Sequence, residues 1–214
     1  MTRTTRTTAA AATVIVAGAL ALTGCSSTTD HGSMPGMSQA TSPAASTTSG
    51  NTAAPVGEHN DADVKFATDM IPHHQQAVQM AQLAATKATT PAVKELAAGI
   101  KAAQDPEIKQ MSAWLTGWGA PVPSSMAGHD MQGAMPGMMS MDEMANLDKA
   151  TGPAFERTWL QMMIKHHQGA VTMAKTEQTT GKATAAIALA KKIETGQTAE
   201  IDTMQKLLVH YTGR

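Results

Sequence analysis

The chain has 214 residues, with 17 Met and 8 His against 3 Trp, 2 Phe, 1 Tyr and a single Cys. One Cys excludes an intramolecular disulfide framework and any zinc site that needs two thiolates from one chain, and the balance of 16 basic and 17 acidic residues leaves no broad positive footprint for nucleic acid. The few aromatics likewise exclude base-stacking platforms and aromatic-lined sugar or nucleotide pockets.

Residues 1–24 read as a signal peptide: Arg3 and Arg6 precede an apolar run from Ala9 to Leu22 that is too short for a permanent membrane span. The run closes in Leu22, Thr23, Gly24 and Cys25, which resembles the lipobox of bacterial lipoproteins. That pattern makes Cys25 the lipidated first residue of the mature chain and predicts an extracytoplasmic, membrane-anchored protein. A thiol consumed by lipid needs no partner Cys. Loss of Arg3 and Arg6 with the signal leaves 14 basic against 17 acidic residues, a net charge of about −3. Residues 25–60 are Ser, Thr, Ala, Pro and Gly with almost no large apolar side chain, and cannot bury enough surface to offset their ordering entropy. They read as a flexible tether, which also carries His31, Met34 and Met37.

The remainder, residues 61–211, is an internal duplication. The segment from Met70 to Ala81, MIPHHQQAVQMA, recurs as MIKHHQGAVTMA from Met163 to Ala174, an offset of 93 residues. The same offset carries Leu96, Ile100, Gln104, Glu107, Met111 and Leu115 onto Leu189, Ile193, Gln197, Glu200, Met204 and Leu208 without a gap. Repeat one covers 61–116, a Met-rich connection 117–150, and repeat two 151–211.

Each repeat reads as two helices. Phe66, Met70, His73, Ala77, Met80 and Ala84 recur in steps of four and three, the stripe of an amphipathic helix. Val93, Leu96, Ile100, Ile108, Met111 and Leu115 mark a second helix, with Thr90 as N-cap, Pro91 at its first position, and a stop in GWGAPVP from Gly117. The third helix is predicted over about 153–179 and the fourth over about 183–211. Pro72 and Pro106 lie inside the first two helices, where kinks or breaks are expected. Two hairpins joined by a long connection bury their stripes most economically against each other. The prediction is an all-α fold, a four-helix bundle with pseudo-two-fold symmetry and ferritin-like connectivity. Two hairpins that pair in trans between chains are the alternative.

The candidate chemistry lies in His73 and His74 of the first helix and His166 and His167 of the third, flanked by Met70, Met80, Met163 and Met173. Adjacent helical residues are rotated by about 100°, so His73 falls on the central stripe and His74 on its apolar flank. If the pseudo-two-fold axis brings the first and third helices together, four imidazoles and four thioethers converge in one layer. Imidazole suits copper, zinc or iron, whereas thioether selects soft Cu(I) or Ag(I). The same residues also fit a plain core, with Glu107 and Glu200 accepting hydrogen bonds from the His pairs.

The connection places Met126, Met131, Met135, Met138, Met139, Met141 and Met144 around His129. As an exposed loop it has no packing reason to concentrate thioethers, and it can wrap several sulfurs around a soft monovalent ion. Low complexity or a Met-rich protein-binding surface is the competing reading. No G-x-S-x-G, H-E-x-x-H or phosphate-binding Gly loop is present. The Glu-x-x-His pattern of di-iron bundles is also missing, since Met70, Ile71, Met163 and Ile164 stand three residues before the histidines.

The two HHQ segments, with QDPEIKQMSAWL from Gln104 to Leu115, resemble the bacterial domain-of-unknown-function 305 family over about Asp61 to Tyr211. The resemblance implies a ferritin-like four-helix bundle, commonly exported, with some members implicated in extracytoplasmic copper binding and resistance. It points to Met70, His73, His74, Met80, Met163, His166, His167 and Met173. The expectation is therefore a lipid-anchored protein that binds copper, chiefly Cu(I), with Cu(II) at the His pairs and Ag(I) at the Met loop. It would sequester the ion or hand it to an accepting protein, with no nucleic-acid partner, no organic cofactor and no catalytic role. A structural or protein-interaction module and an atypical ferritin-like metalloenzyme remain alternatives on the residues alone.

Overall fold

The computed structural model describes residues 57–124 and 135–212. Cys25 and the tether residues His31, Met34 and Met37, together with Met126, His129 and Met131 of the connection, lie outside the described residues. Five helices follow in order: α1 (Asp61–Lys87), α2 (Pro91–Gly117), α3 (Met141–Lys149), α4 (Gly152–Thr180) and α5 (Thr184–Thr212). α2, α4 and α5 start and stop within a residue or two of the expected positions, α1 extends the Phe66–Ala84 stripe at both ends, and no strand occurs among the described residues.

Local chemistry explains the starts. Asn60 Oδ1 accepts from the amides of Ala62 (3.0 Å) and Asp63 (3.1 Å), while Asp63 returns a carboxylate to the Asn60 amide at 2.7 Å, closing a capping box on α1. Ser140 and Glu143 repeat the device at α3. Thr90 does occupy the N-cap of α2 with Pro91 next to it, yet its side chain does not cap the helix; it bonds Glu156 instead. Pro72 and Pro106 sit within α1 and α2 without breaking either helix. Each removes one N–H from the ladder, and burial of the stripe on both sides of the proline holds the helix together.

α1 packs against α2, α4 against α5, and the hairpins join mainly through α1 and α4, whereas α2 and α5 meet sparsely. Asn60 bonds the Thr180 carbonyl, His73 lies on His166, and Trp159 donates to the Met80 carbonyl at 2.9 Å. As residue numbers rise on α1 they fall on α4, so the two helices are antiparallel. The connection must then return along the length of the bundle, the ferritin-like crossover.

That crossover is where the sequence reading needs correction. It is not a bare loop, since it contains α3, and its methionines are not a uniformly exposed cluster. Met135, Met138 and Met139 are buried, Met144 is half-buried against the core, and Met141 alone among the described loop methionines is well exposed, at 63%. The reason is a backbone contact that periodicity does not reveal. Gly137, at φ +80°, and Gly169 let the strap 135–139 lie directly on α4; a Cβ on Gly169 would come within 1.9 Å of the Pro136 carbonyl oxygen. Gln76 fastens the strap from α1, accepting from the Met139 amide at 2.8 Å and donating to the Met139 carbonyl at 2.9 Å.

The duplication also closes the bundle ends. Asp63, 0% exposed, accepts from the amides of Lys182 and Ala183 in the α4–α5 link at 2.9–3.1 Å. Its equivalent Glu156 accepts from the amides of Thr89 (2.5 Å) and Thr90 (2.7 Å) in the α1–α2 link, and also from the Thr90 and Tyr211 hydroxyls. Each hairpin thus ties down the other's turn with a carboxylate from near the start of its first helix. Burial raises the Glu156 carboxyl, but these donors outweigh it and bring it down to about 2.

Candidate metal centre

His73, His74, His166 and His167 are all buried, with exposures of 0–1%. His73 and His166 meet at the α1–α4 crossing with ring centroids 3.7 Å apart and planes tilted by 38°. His74 and His167 turn toward the second helix of their own hairpin, where His74 Nε2 donates to Glu107 Oε2 at 2.9 Å and His167 Nε2 to Glu200 Oε2 at 2.8 Å. His73 Nε2 donates to the Pro136 carbonyl at 3.1 Å. Because carbonyl and carboxylate oxygens only accept, these three rings carry their proton on Nε2 and present a bare lone pair at Nδ1.

Those lone pairs have no partner. Nδ1 of all four histidines, and Nε2 of His166 as well, are buried and unbonded. Burial first, and then the neighbouring histidines, hold His166 well below the ordinary imidazole value. Burial, with the charge of His74, brings His73 down to about 3. His167 is also lowered by burial, despite its bond to Glu200. His73, His166 and His167 are thus neutral near pH 7, the state a metal requires. Burial tends to raise Glu107, but the hydrogen bond from His74 and the charge of Lys192 outweigh it and the carboxyl stays ionised. A ring whose Nε2–H is held by a carboxylate while its other nitrogen is free is oriented as metal-binding histidines are.

The thioethers do not join the imidazoles in one layer. Met80 and Met163 belong to the apolar cluster on one side of the His layer, and Met70, with half-buried Met173, to the cluster on the other. Antiparallel packing puts the equivalent positions of α1 and α4 at opposite ends of the layer, a consequence of tertiary geometry. Met173 lines a pocket of about 560 Å³ with Phe66 and Pro136. Among the described residues no three His, Cys, Asp or Glu side chains converge as a ready metal cage. The available donors are imidazole nitrogens with thioethers a turn away, a soft set that suits Cu(I) or Ag(I) better than a hard cation.

Sequence reading missed Gln76, Gly137 and Gly169, which seat the strap on His73, and, at the bundle end, buried Asp63 and Glu177. Burial, and then Asp63, raise Glu177 to about 8, so it holds a proton near neutral pH. The offset of 93 could have exposed the Asp63–Glu156 equivalence, but no sequence signal marks Glu177, whose counterpart is Ala84.

A buried layer of four imidazoles, each with a ring nitrogen left unpaired, within an antiparallel, duplicated helical bundle defines a ferritin-like helical protein. The chain belongs to the DUF305 family, a domain of unknown function, whose profile matches residues 63–208. Among solved structures, it is 34% identical to a DUF305 protein of Streptomyces coelicolor, a candidate secreted protein, with a TM-score of 0.65 over 72% of this chain and 95% of that one. A DUF305 fragment from Deinococcus radiodurans is 31% identical, with a TM-score of 0.65 over 72% and 99%. CopM in its Cu(I)-bound form is 35% identical, with a TM-score of 0.59 over 71% and 98%, and CopM structures in Cu(II)- and Ag-bound forms match similarly. No curated protein sequence matches the chain.

Proposed function

We propose that this protein is an extracytoplasmic copper-binding lipoprotein that takes up Cu(I), with Ag(I) as a chemical congener, at the His layer between α1 and α4. The observation that carries the reading is the set of buried ring nitrogens left without partners on all four histidines. An unpaired buried polar atom costs about 1–3 kcal/mol, and one ion ligated by several of them removes that cost at once. The metal-bound CopM structures support the choice of ion. The leader and Cys25 support lipid anchoring outside the cytoplasm, and the likeness to the Streptomyces coelicolor candidate secreted protein agrees. Binding is preferred to turnover because the site offers ligands and no activated nucleophile.

The Met-rich connection acts as a capture segment in this reading, now reduced to Met126, His129, Met131 and exposed Met141, since Met135, Met138 and Met139 pack inward. The test is metal content and competitive Cu(I) titration of the mature protein. Wild type is compared with His73→Asn/His166→Asn and with Met126→Leu/Met131→Leu/Met141→Leu. Loss of a tight ion in the first variant and weaker capture in the second are expected. Unchanged stoichiometry in both, with the helices intact by circular dichroism, refutes the proposal and leaves the histidines as core residues.

A further inference from the structure

The His layer has two faces, and they differ. On the α1–α4 face the strap seals it: Pro136 sits on His73, Gly137 lies against the Lys165 and His166 carbonyls, and Gln76 holds Met139 by two bonds. The opposite face lies between α2 and α5, which meet sparsely. There a cavity of about 90 Å³ is lined by Gln104, Glu107, Lys192, Gln197 and Glu200. Its two glutamates are the residues bonded to His74 and His167.

Gln104 is 2% exposed, and both its amide nitrogen and its amide oxygen lack partners; Gln197, its equivalent at 4%, leaves its oxygen unpaired. Lys192 reaches in from solvent, 67% exposed, with Nζ 3.2 Å from Glu107 Oε1. Two carboxylates against one ammonium leave the cavity lining net negative, which draws a cation inward. Oxygen donors bind a soft ion weakly, so an ion entering here is passed on to nitrogen and sulfur rather than retained.

Resting on the copper reading above, we propose that the α2–α5 cavity is the entry port of the His layer: Glu107 and Glu200 relay the incoming Cu(I), the Gln104 and Gln197 amide oxygens act as transient ligands, and Lys192 is a displaceable stopper. The ammonium already occupies the place of a cation beside Glu107, and the carboxylates lie one hydrogen bond from the rings.

The experiment follows Cu(I) transfer from a chromophoric chelator to the full mature protein by stopped flow, with affinity measured separately. Glu107→Gln/Glu200→Gln keeps an oxygen acceptor for each Nε2–H while removing the charge. It is expected to slow loading at least tenfold, and by more than it weakens affinity. Lys192→Met should load faster than wild type. Gln104→Leu, which fills the cavity with an apolar side chain, should load slower, and carries the test if the double variant does not fold. Rates equal to wild type in Gln104→Leu and Lys192→Met overturn the port. So does faster loading in Gly169→Ala, which loosens the strap, because entry would then run through the other face. These results leave the copper reading standing, whereas a wild-type bundle that takes up no Cu(I) overturns both.

Discussion

Three helical glycines respond in opposite ways to the same substitution. Gly99 of α2 and Gly196 of α5 have open space where a Cβ would stand, so alanine should stabilise each by about 0.5–1 kcal/mol through helix propensity and a less free unfolded chain. At Gly169 the new carbon lands 1.9 Å from the Pro136 oxygen and 2.4 Å from its carbonyl carbon. Ordinary contact begins at 3.4 Å, so the strap must retreat by about 1.5 Å. It cannot do so while keeping the His73–Pro136 bond and the two Gln76–Met139 bonds. Three hydrogen bonds at about 1 kcal/mol each, less about 1 kcal/mol gained in helix propensity, leave a net loss of about 2 kcal/mol. For a domain of this size that lowers Tm by roughly 4–8 °C. Urea denaturation and calorimetry of Gly169→Ala beside Gly99→Ala measure the difference. A Gly169→Ala protein as stable as Gly99→Ala would refute the strap contact, and with it the sealed α1–α4 face.

Glu177 is raised from 4.5 to about 8, so the stability it contributes is full below the unfolded value and lost as pH rises through about 8. Glu177→Gln, which imitates the protonated acid beside Asp63, should remove up to one proton's worth of slope, about 1.4 kcal/mol per pH unit at most, between pH 4.5 and 8. Parallel stability–pH curves for variant and wild type would dismiss the raised Glu177 carboxyl. At the other end of the bundle, Glu156→Ala removes the acceptor of the Thr89 and Thr90 amides and of the Thr90 and Tyr211 hydroxyls, and should cost about 1–3 kcal/mol. Hydrogen exchange should show the α1–α2 link opening first, and protection there equal to wild type would count against the carboxylate clasp.

Much of the bundle was legible because periodicity and duplication are local signals. The stripe from Phe66 to Ala84, the stop at Gly117 and the offset of 93 fix four helices and their pairing into hairpins, since an amphipathic face must be buried against another. The His pairs stood out for the same reason, as polar residues on an apolar face in both copies. What the sequence could not carry was everything that depends on how α1 and α4 cross. Antiparallel packing sets His73 on His166 but sends Met80 and Met163 to one side of the layer and Met70 and Met173 to the other.

The crossover shows the same division. Its composition correctly marks it as unlike the helical repeats, yet whether its methionines face water or the core depends on a glycine-to-glycine approach between residues far apart in the chain. Gly137 and Gly169 permit that approach because neither has a Cβ, and the backbone there comes closer than any side chain would allow. Sequence by itself determined the four long helices and their duplication and picked out the candidate ligands, while α3 inside the connection went unread. Only the tertiary structure decided which ring nitrogens are left unpaired, because that depends on which partners the folded chain brings within hydrogen-bond reach.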